Sequence, residues 1–578
     1  MTSSETPPLS PGWWQLLIRV NPAGRRWPGA LQSAIAMVLP AAVVLGFGLE
    51  TEMLLIASGG YAVLYGAGQP YRTRWQVMTW AAVFLAAGQM AGAFVGTAVW
   101  PQIAAGGSRW WMLLIAGYTT LVAVVVAFMQ NALRLPPPGG FFIVMTAGGA
   151  TMLAKHDMNP VEVGLWAAVG GASAVAIGML PALSRWTRHL PEIAVVEGLE
   201  KFAAGYAADP APSTARSQQA AGALAHGWDT LADAGLIRGG RLVTDDPHDL
   251  VDRTLTAQLA VSRHNRAVGG TGATDSPRGQ SEVAEIAGEV DLSRQAIPLA
   301  RPTARYRVYR SLTLYSHATL TALKILVASL LAGVVGIALD LDRPDWAVVS
   351  AMLVLQWGPD RRPGTIRGIH RLIGSVFGIL LFALFHTVGL HTWGLLLALG
   401  ACQFFAELFV VRNYALTLVV TTPLAMLMGG AMNQPLGDVI LSRSTEVVIA
   451  VLFSIAGLWL FFLRDAEVRH SRRLVDRSTG AMGALLGRLR ISASPEQALA
   501  ERRDLQYELL SERRAAQSTA YNAPEYAAAH WPRHLAVQHT GYALLDLCMT
   551  AGREAVPADR LEAVADTVRE LTLPETDR

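Results

Sequence analysis

The sequence predicts an all-α polytopic membrane protein: two parallel repeats of about six transmembrane helices, each followed by a cytosolic helical domain. Three observations lead there. Apolar residues make up 52% of the 578 residues and charged ones 16%, where a soluble chain carries roughly a quarter charged; mean hydropathy is +0.33. Apolar segments of about 20 residues recur, the length that crosses a bilayer. The same order of segments then occurs a second time further along the chain, as it does in parallel transporter repeats.

Taken in order, residues 1–28 form a cytosolic N-terminal segment with aromatic anchors at Trp13 and Trp14; a short interfacial helix is the second reading. The first transmembrane bundle covers 29–183, with apolar spans at 29–49, 53–69, 75–100, 110–130, 139–154 and 161–183. The second and fifth are short and glycine-rich, which fits helices broken or covered by neighbours. The first apolar run follows Arg25 and Arg26 and is too long for a signal-peptide core, so no cleavable leader is expected. Residues 184–316 form a cytosolic helical domain, with a flexible Gly/Thr/Ser linker at 267–282 and a basic stretch at Arg301, Arg305, Arg307 and Arg310. The second bundle covers 317–463, with spans at 317–339, 345–357, 365–388, 391–411, 414–431 and 443–463. Residues 464–578 form a C-terminal cytosolic helical domain, broken at Pro532 and Pro557.

The halves correspond in detail. Gly88, Gly92 and Gly96 of the third span match Gly374 and Gly378 of the ninth, and the turn Pro70–Arg74 matches Pro359–Arg362. Short-loop Lys and Arg set orientation. With both termini cytosolic, most of them fall inside in both halves. Arg109, Lys155, Arg343 and Arg443 are then the cations of the outside loops.

Net charge is +3, too small to point to nucleic acid. Two cysteines, Cys402 and Cys548, exclude a disulfide framework and a four-cysteine zinc site. No Gly-x-x-x-x-Gly-Lys-Ser/Thr loop occurs among the three lysines, which argues against ATP hydrolysis. No nucleophile and base combination is apparent, so an enzyme is not expected, and neither is a cofactor.

The stretch from Asp345 to Phe382 is the most informative. An apolar run ends in the turn Trp357-Gly-Pro-Asp-Arg-Arg-Pro-Gly364, after which a helix is expected near Thr365. Arg367, Arg371, Gly374 and Gly378 then share one helix face, with cations at the mouth and small residues deeper. A guanidinium fork matches a carboxylate, so Arg367 and Arg371 are candidate anion ligands; anchoring to lipid phosphate is the alternative. Lys324 lies about two turns into its span, where a cation either snorkels or faces a cavity. His370 is a candidate switch or an interfacial residue. Glu407 reads first as the partner of a neighbouring arginine and second as a proton carrier. Asn413 opens a span that Pro423 and Gly429-Gly430 interrupt, as in helices that line transport sites. Arg443 and Glu446 are expected to form a salt bridge at the outer start of the last span. His386 and His391, without a carboxylate, make a poor metal site.

Asp345-Trp-Ala-Val348, Gln356-x-Gly358 and Thr365-Ile-Arg-Gly-Ile-His-Arg-Leu-Ile-Gly374 together resemble the signature of the FUSC family. These are fusaric-acid-resistance-like proteins of the aromatic acid exporter superfamily. The motif is also similar to one in the plant aluminium-activated malate transporters. Around residues 70–85 the first half has no Arg-x-x-x-Arg, only Arg72 and Arg74. The resemblance implies export of small organic anions, chiefly aromatic carboxylates, across the inner or plasma membrane. Lys324 in the seventh span is similar to a basic residue of the malate transporters. Besides the bilayer and the anion, the partners that come into view are an envelope adaptor protein and a second copy of the chain. The alternatives are an anion channel or a membrane scaffold whose cytosolic helices bind a partner.

Overall fold

A computed structural model describes residues 6–8, 12–21, 24, 26–210, 212–238, 241–242, 246, 248–268, 302–460, 464–492, 494–551 and 554–572. Among them, eight helices are long and apolar enough to cross a membrane. In the first half these are α2 (Trp27–Gly46), α4 (Tyr71–Ala104), α5 (Leu113–Leu133) and α7 (Pro160–Met179). In the second half they are α12 (His317–Ala338), α14 (Arg361–Val388), α15 (Thr392–Phe409) and α17 (Leu436–Trp459). The remaining four apolar segments are short helices: α3 (Glu50–Gly59), α6 (Phe141–Ala150), α13 (Pro344–Leu355) and α16 (Tyr414–Met428). At 1.5 Å per residue none of these reaches the roughly 30 Å of a bilayer core. They survive because neighbours enclose them: all twelve residues of α13 are buried, as are ten of the fifteen in α16. The protein is thus an all-α multi-pass membrane protein in which four of the twelve expected spans fall short of the full bilayer.

Small residues explain how the short helices are held. Gly374 and Gly378 of α14 lie against α16, where a Cβ at Gly374 would stand 2.5 Å from Leu418 Cβ and 2.7 Å from the Ala415 carbonyl. Gly88, Gly92 and Gly96 of α4 lie in the same way against α6 and the turn that follows it, at Ala147 and Thr151. Backbone contact of this kind needs glycine in a bilayer, where packing rather than water expulsion drives association. Replacing Gly374 by alanine should cost about 1–3 kcal/mol of overpacking strain. The cost is expected as a lower thermal midpoint of the detergent-solubilised protein; an unchanged midpoint would mean that the α14–α16 contact yields freely.

The two halves share one apolar core. The first long helix of each half packs on the fourth helix of the other: α2 on α15, and α12 on α5. At one end of the bundle Arg109 bridges the halves through Asp340 and Asp342, at 3.2 and 2.7 Å.

Beyond the other end lie the remaining helices. Six-residue α1 (Trp13–Ile18) is the short helix ranked second from sequence. The middle segment forms α8 (Leu190–Ala207), α9 (Thr214–Ala234), a two-residue antiparallel ribbon β1–β2 (Ile237–Arg238 and Arg241–Leu242), α10 (Leu250–Val268) and α11 (Ala304–Ser311). The expected linker at 267–282 and Arg301 lie almost wholly outside the described residues. The C-terminal segment forms α18 (Arg464–Ser492), α19 (Leu499–Asn522), α20 (Pro524–Ala551) and α21 (Ala558–Thr572) around its own apolar core.

Four expectations are corrected. Helix α14 begins at Arg361, not near Thr365: Pro363 falls in the first turn, where its missing N–H is an orphan anyway. Arg443 does not sit in a loop but within a helix, 2% exposed, whereas Arg343 lies in the connection just before α13, as expected, and is buried there at 4% exposed. Helix α17 begins at Leu436, just after Pro435, which puts Arg443 two turns inside it. Pro532 lies within α20, which runs on past it, while neighbouring Trp531 and His534 are buried.

Candidate functional site

The site is built along α13. This buried helix of twelve residues rises about 18 Å, so both of its ends lie within protein. Its first turn carries Asp345, 1% exposed, which accepts two hydrogen bonds from Arg343 at 3.1 and 3.0 Å. A forked pair of this kind is how a carboxylate is tolerated in apolar surroundings.

Cations from three other helices then step along α13. The Arg443 guanidinium from α17 lies 4.5 Å from the centre of the Trp346 ring, and Arg343 lies 4.2 Å from it. Arg371 from α14 donates to the Ser350 hydroxyl at 3.0 Å. Arg367, one turn earlier on α14, donates through Nε to the Val354 carbonyl at 2.9 Å. Lys324 from α12 donates to the Pro359 carbonyl at 3.1 Å, just beyond the helix C-terminus. Trp346 and Ser350 are four positions apart and share one side-chain face, while Arg367 and Lys324 bond to backbone carbonyls at and beyond the C-terminal end. The result is a ladder of cations running the length of the helix.

The ladder is not neutralised by hydrogen-bonded carboxylates. Arg367 Nη2, Arg371 Nε and Arg443 Nε and Nη1 are buried without a hydrogen-bond partner, and so is Glu446 Oε2. Arg443 senses Glu446, Arg371, Arg343 and Asp345 electrostatically, but the expected Arg443–Glu446 salt bridge does not form. Glu446 instead accepts from Ser442 at 3.2 Å. The charged neighbour of Arg371 is Arg443, and the neutral Tyr414 phenol lies close by. Holding guanidinium donors away from both water and counter-charge costs several kcal/mol per group, on the order of a strong hydrogen bond or more. A carboxylate placed there would offset that cost, since carboxylate oxygens take two N–H groups side by side.

The first half has the same contact without the charge. Ser58 of α3 donates to Gln89 of α4 at 2.7 Å. Gln89 stands at the same offset from Arg371 as Gly92 from Gly374 and Gly96 from Gly378. A serine on the second helix meeting a polar side chain on the third thus occurs in both halves, but only the second half makes it cationic.

Of the candidates read from sequence, Lys324, Arg367 and Arg371 are brought together on the ladder. The other three meet the N-terminal segment instead. His370 lies 2.8 Å from the Leu17 carbonyl through Nε2. Asn413 caps α16 by accepting from the Ala415 N–H at 2.8 Å, and donates to the Arg19 carbonyl at 3.2 Å. Glu407 pairs with Arg26 at 3.8 Å, the ion pair expected first for it. Sequence reasoning left out Trp346 and Ser350 and misplaced Arg443. Pro435 was the available signal for Arg443, because proline favours the position just before or inside a helix start. Among the described residues, no group of His, Cys, Asp and Glu side chains is arranged to hold a metal ion.

Residues 327–457, which hold the whole ladder except Lys324, match the family described as fusaric acid resistance protein-like. The resemblance drawn from the motif is therefore borne out over the second bundle. The chain is also similar to the protein described as uncharacterized membrane protein YvaC of Bacillus subtilis (strain 168). The two are 26% identical over 272 residues, which is 46% of this chain and 42% of that protein. The chain thus matches less than half the length of that relative. No solved structure matches.

Proposed function

We propose, from the fusaric acid resistance protein-like match as premise, that this chain is a transporter that exports small organic anions, aromatic carboxylates first among them, from the cytosol. The observation that carries the proposal is the set of buried guanidinium donors on Arg367, Arg371 and Arg443 that no protein group satisfies. Three cations along a short helix give a carboxylate a stepwise path with no deep single well. Trp346, flanked by two guanidinium groups, suits an aromatic ring at the far step, where stacking and charge act together.

The orientation is read from the distribution of charge. Lys and Arg cluster at the end that bears α8–α10 and α18–α21, so this end is the cytosolic one and both termini are cytosolic. The two halves are read as parallel repeats of six elements. Their matching order of long and short helices, the reciprocal packing of first helix on fourth, and the equivalent glycine faces support this. In this reading the first half is the scaffold and the second carries the anion.

The test is flux. Purified protein in proteoliposomes loaded with labelled 4-hydroxybenzoate should release it saturably, above protein-free vesicles. External unlabelled anion should accelerate release if the protein is a carrier and leave it unchanged if it is a channel. Release no faster than from protein-free vesicles, with monodisperse protein, would overturn the proposal.

A further inference from the structure

The cytosolic end of the ladder is closed by the chain's own C-terminal helices. The Asp360 carboxylate, at the start of α14, accepts from the Ser518 hydroxyl and from Asn522 Nδ2, the latter at 2.9 Å. Asn522 Oδ1 in turn accepts from the Arg361 N–H at 3.1 Å. Helix α18 crosses the same place with Glu467, which is only 7% exposed. The charged groups that face Glu467 are Lys324 from α12 and Asp360 and Arg361 from the turn before α14 and its first residue. One turn along α18, His470 packs on His317, the first residue of α12, with ring centres 4.8 Å apart. Both imidazoles therefore border the same mouth.

A carboxylate carried on a soluble helix thus faces the first two cations that an anion leaving the cytosol meets. We infer that Glu467 is a built-in occupant of this mouth: its carboxylate holds the place at Lys324 and Arg361 that the carboxylate of the transported anion takes, so the C-terminal helices gate the conduit by competing with cargo. This rests on the reading of the ladder as an anion conduit.

The competition is set by pH. Burial, ahead of the neighbouring Lys324 charge that acts the other way, pushes the Glu467 carboxyl up to about 7. Above that value Glu467 is charged and competes; below it the group is neutral and Lys324 is released to cargo. Burial pushes His470 the opposite way, down to about 2, so it stays neutral across this range. Acidification of the cytosolic side then opens the mouth. That sign suits an exporter of weak acids, which shed a proton in the compartment they invade.

The experiment uses the full chain in vesicles with the soluble helices facing out, equal pH on both faces, and labelled 4-hydroxybenzoate added outside. For the unaltered protein the apparent KM should fall on the order of tenfold from pH 8 to pH 6, the weight of one charge-assisted contact. Glu467→Gln should show the low KM at both pH values, and Glu467→Asp should keep the pH dependence. Asn522→Ala, which loosens the closure and also removes a hydrogen bond that holds the Glu467 carboxyl down, should lower KM at pH 8 and move the midpoint of the pH profile upward. If Glu467→Gln keeps the unaltered KM and pH profile while Arg371→Gln still lowers flux, the inference falls and the conduit stands. If neither variant changes flux, the conduit reading falls with it.

Discussion

Arg371→Gln is expected to lower anion flux about ten- to a hundredfold while leaving the protein folded. The first half supplies the reason to choose glutamine. There Gln89 holds the same position against Ser58 that Arg371 holds against Ser350. Glutamine therefore keeps a hydrogen bond with the serine, accepting from its hydroxyl as Gln89 accepts from Ser58, and removes the charge. A hydrogen bond to a charged group contributes roughly 1.5–3 kcal/mol, which is about one to two decades in rate or affinity. Stability should hold or rise, because a buried cation without a hydrogen-bonded counter-charge is a cost to the fold. Initial efflux rates and thermal midpoints of the two proteins check both halves of the statement. Full flux in the glutamine variant would place the path elsewhere.

Arg343→Met is expected to be the most destabilising single change at the site, at about 3–5 kcal/mol. Asp345 is 1% exposed and its two oxygens take both of the fork contacts from Arg343. Removing the guanidinium leaves a buried carboxylate with neither water nor partner. It also removes the 3.3 Å bond to the Gly429 carbonyl at the end of α16, and the cation over Trp346. Adding Asp345→Asn should restore most of the loss, since the stranded charge is the larger part of it. The measurement is the folded fraction after detergent extraction and its midpoint on heating, for both single variants and the double. A single variant as stable as the parent would show that Asp345 finds another donor.

Several elements were legible before any coordinates, each for a physical reason. Apolar length and the Gly374/Gly378 face are one-dimensional signals: the first reports the bilayer, the second the close approach of a neighbour. Lys324, Arg367 and Arg371 stood out because a cation inside an apolar run has few reasons to be there. Asp360 was read only as part of a turn, and nothing in its local sequence says that Ser518 and Asn522 reach it. Arg443 was placed at the wrong depth because hydropathy marks where a span becomes apolar, whereas Pro435 marks where its helix starts.

The sequence by itself determined the class of molecule, the number and order of apolar segments, and the helix face that carries Arg367, Arg371, Gly374 and Gly378. Those follow from composition and from the 3.6-residue period, both of which are local. Only the tertiary structure decided that four segments are short helices enclosed by others, that Arg371 and Arg443 converge on one face of α13, and that Glu467 faces Lys324 and Asp360. Each of these joins residues far apart along the chain. Their meeting is set by which surfaces pack and by the cost of burying a charge without a partner, neither of which a window of sequence contains.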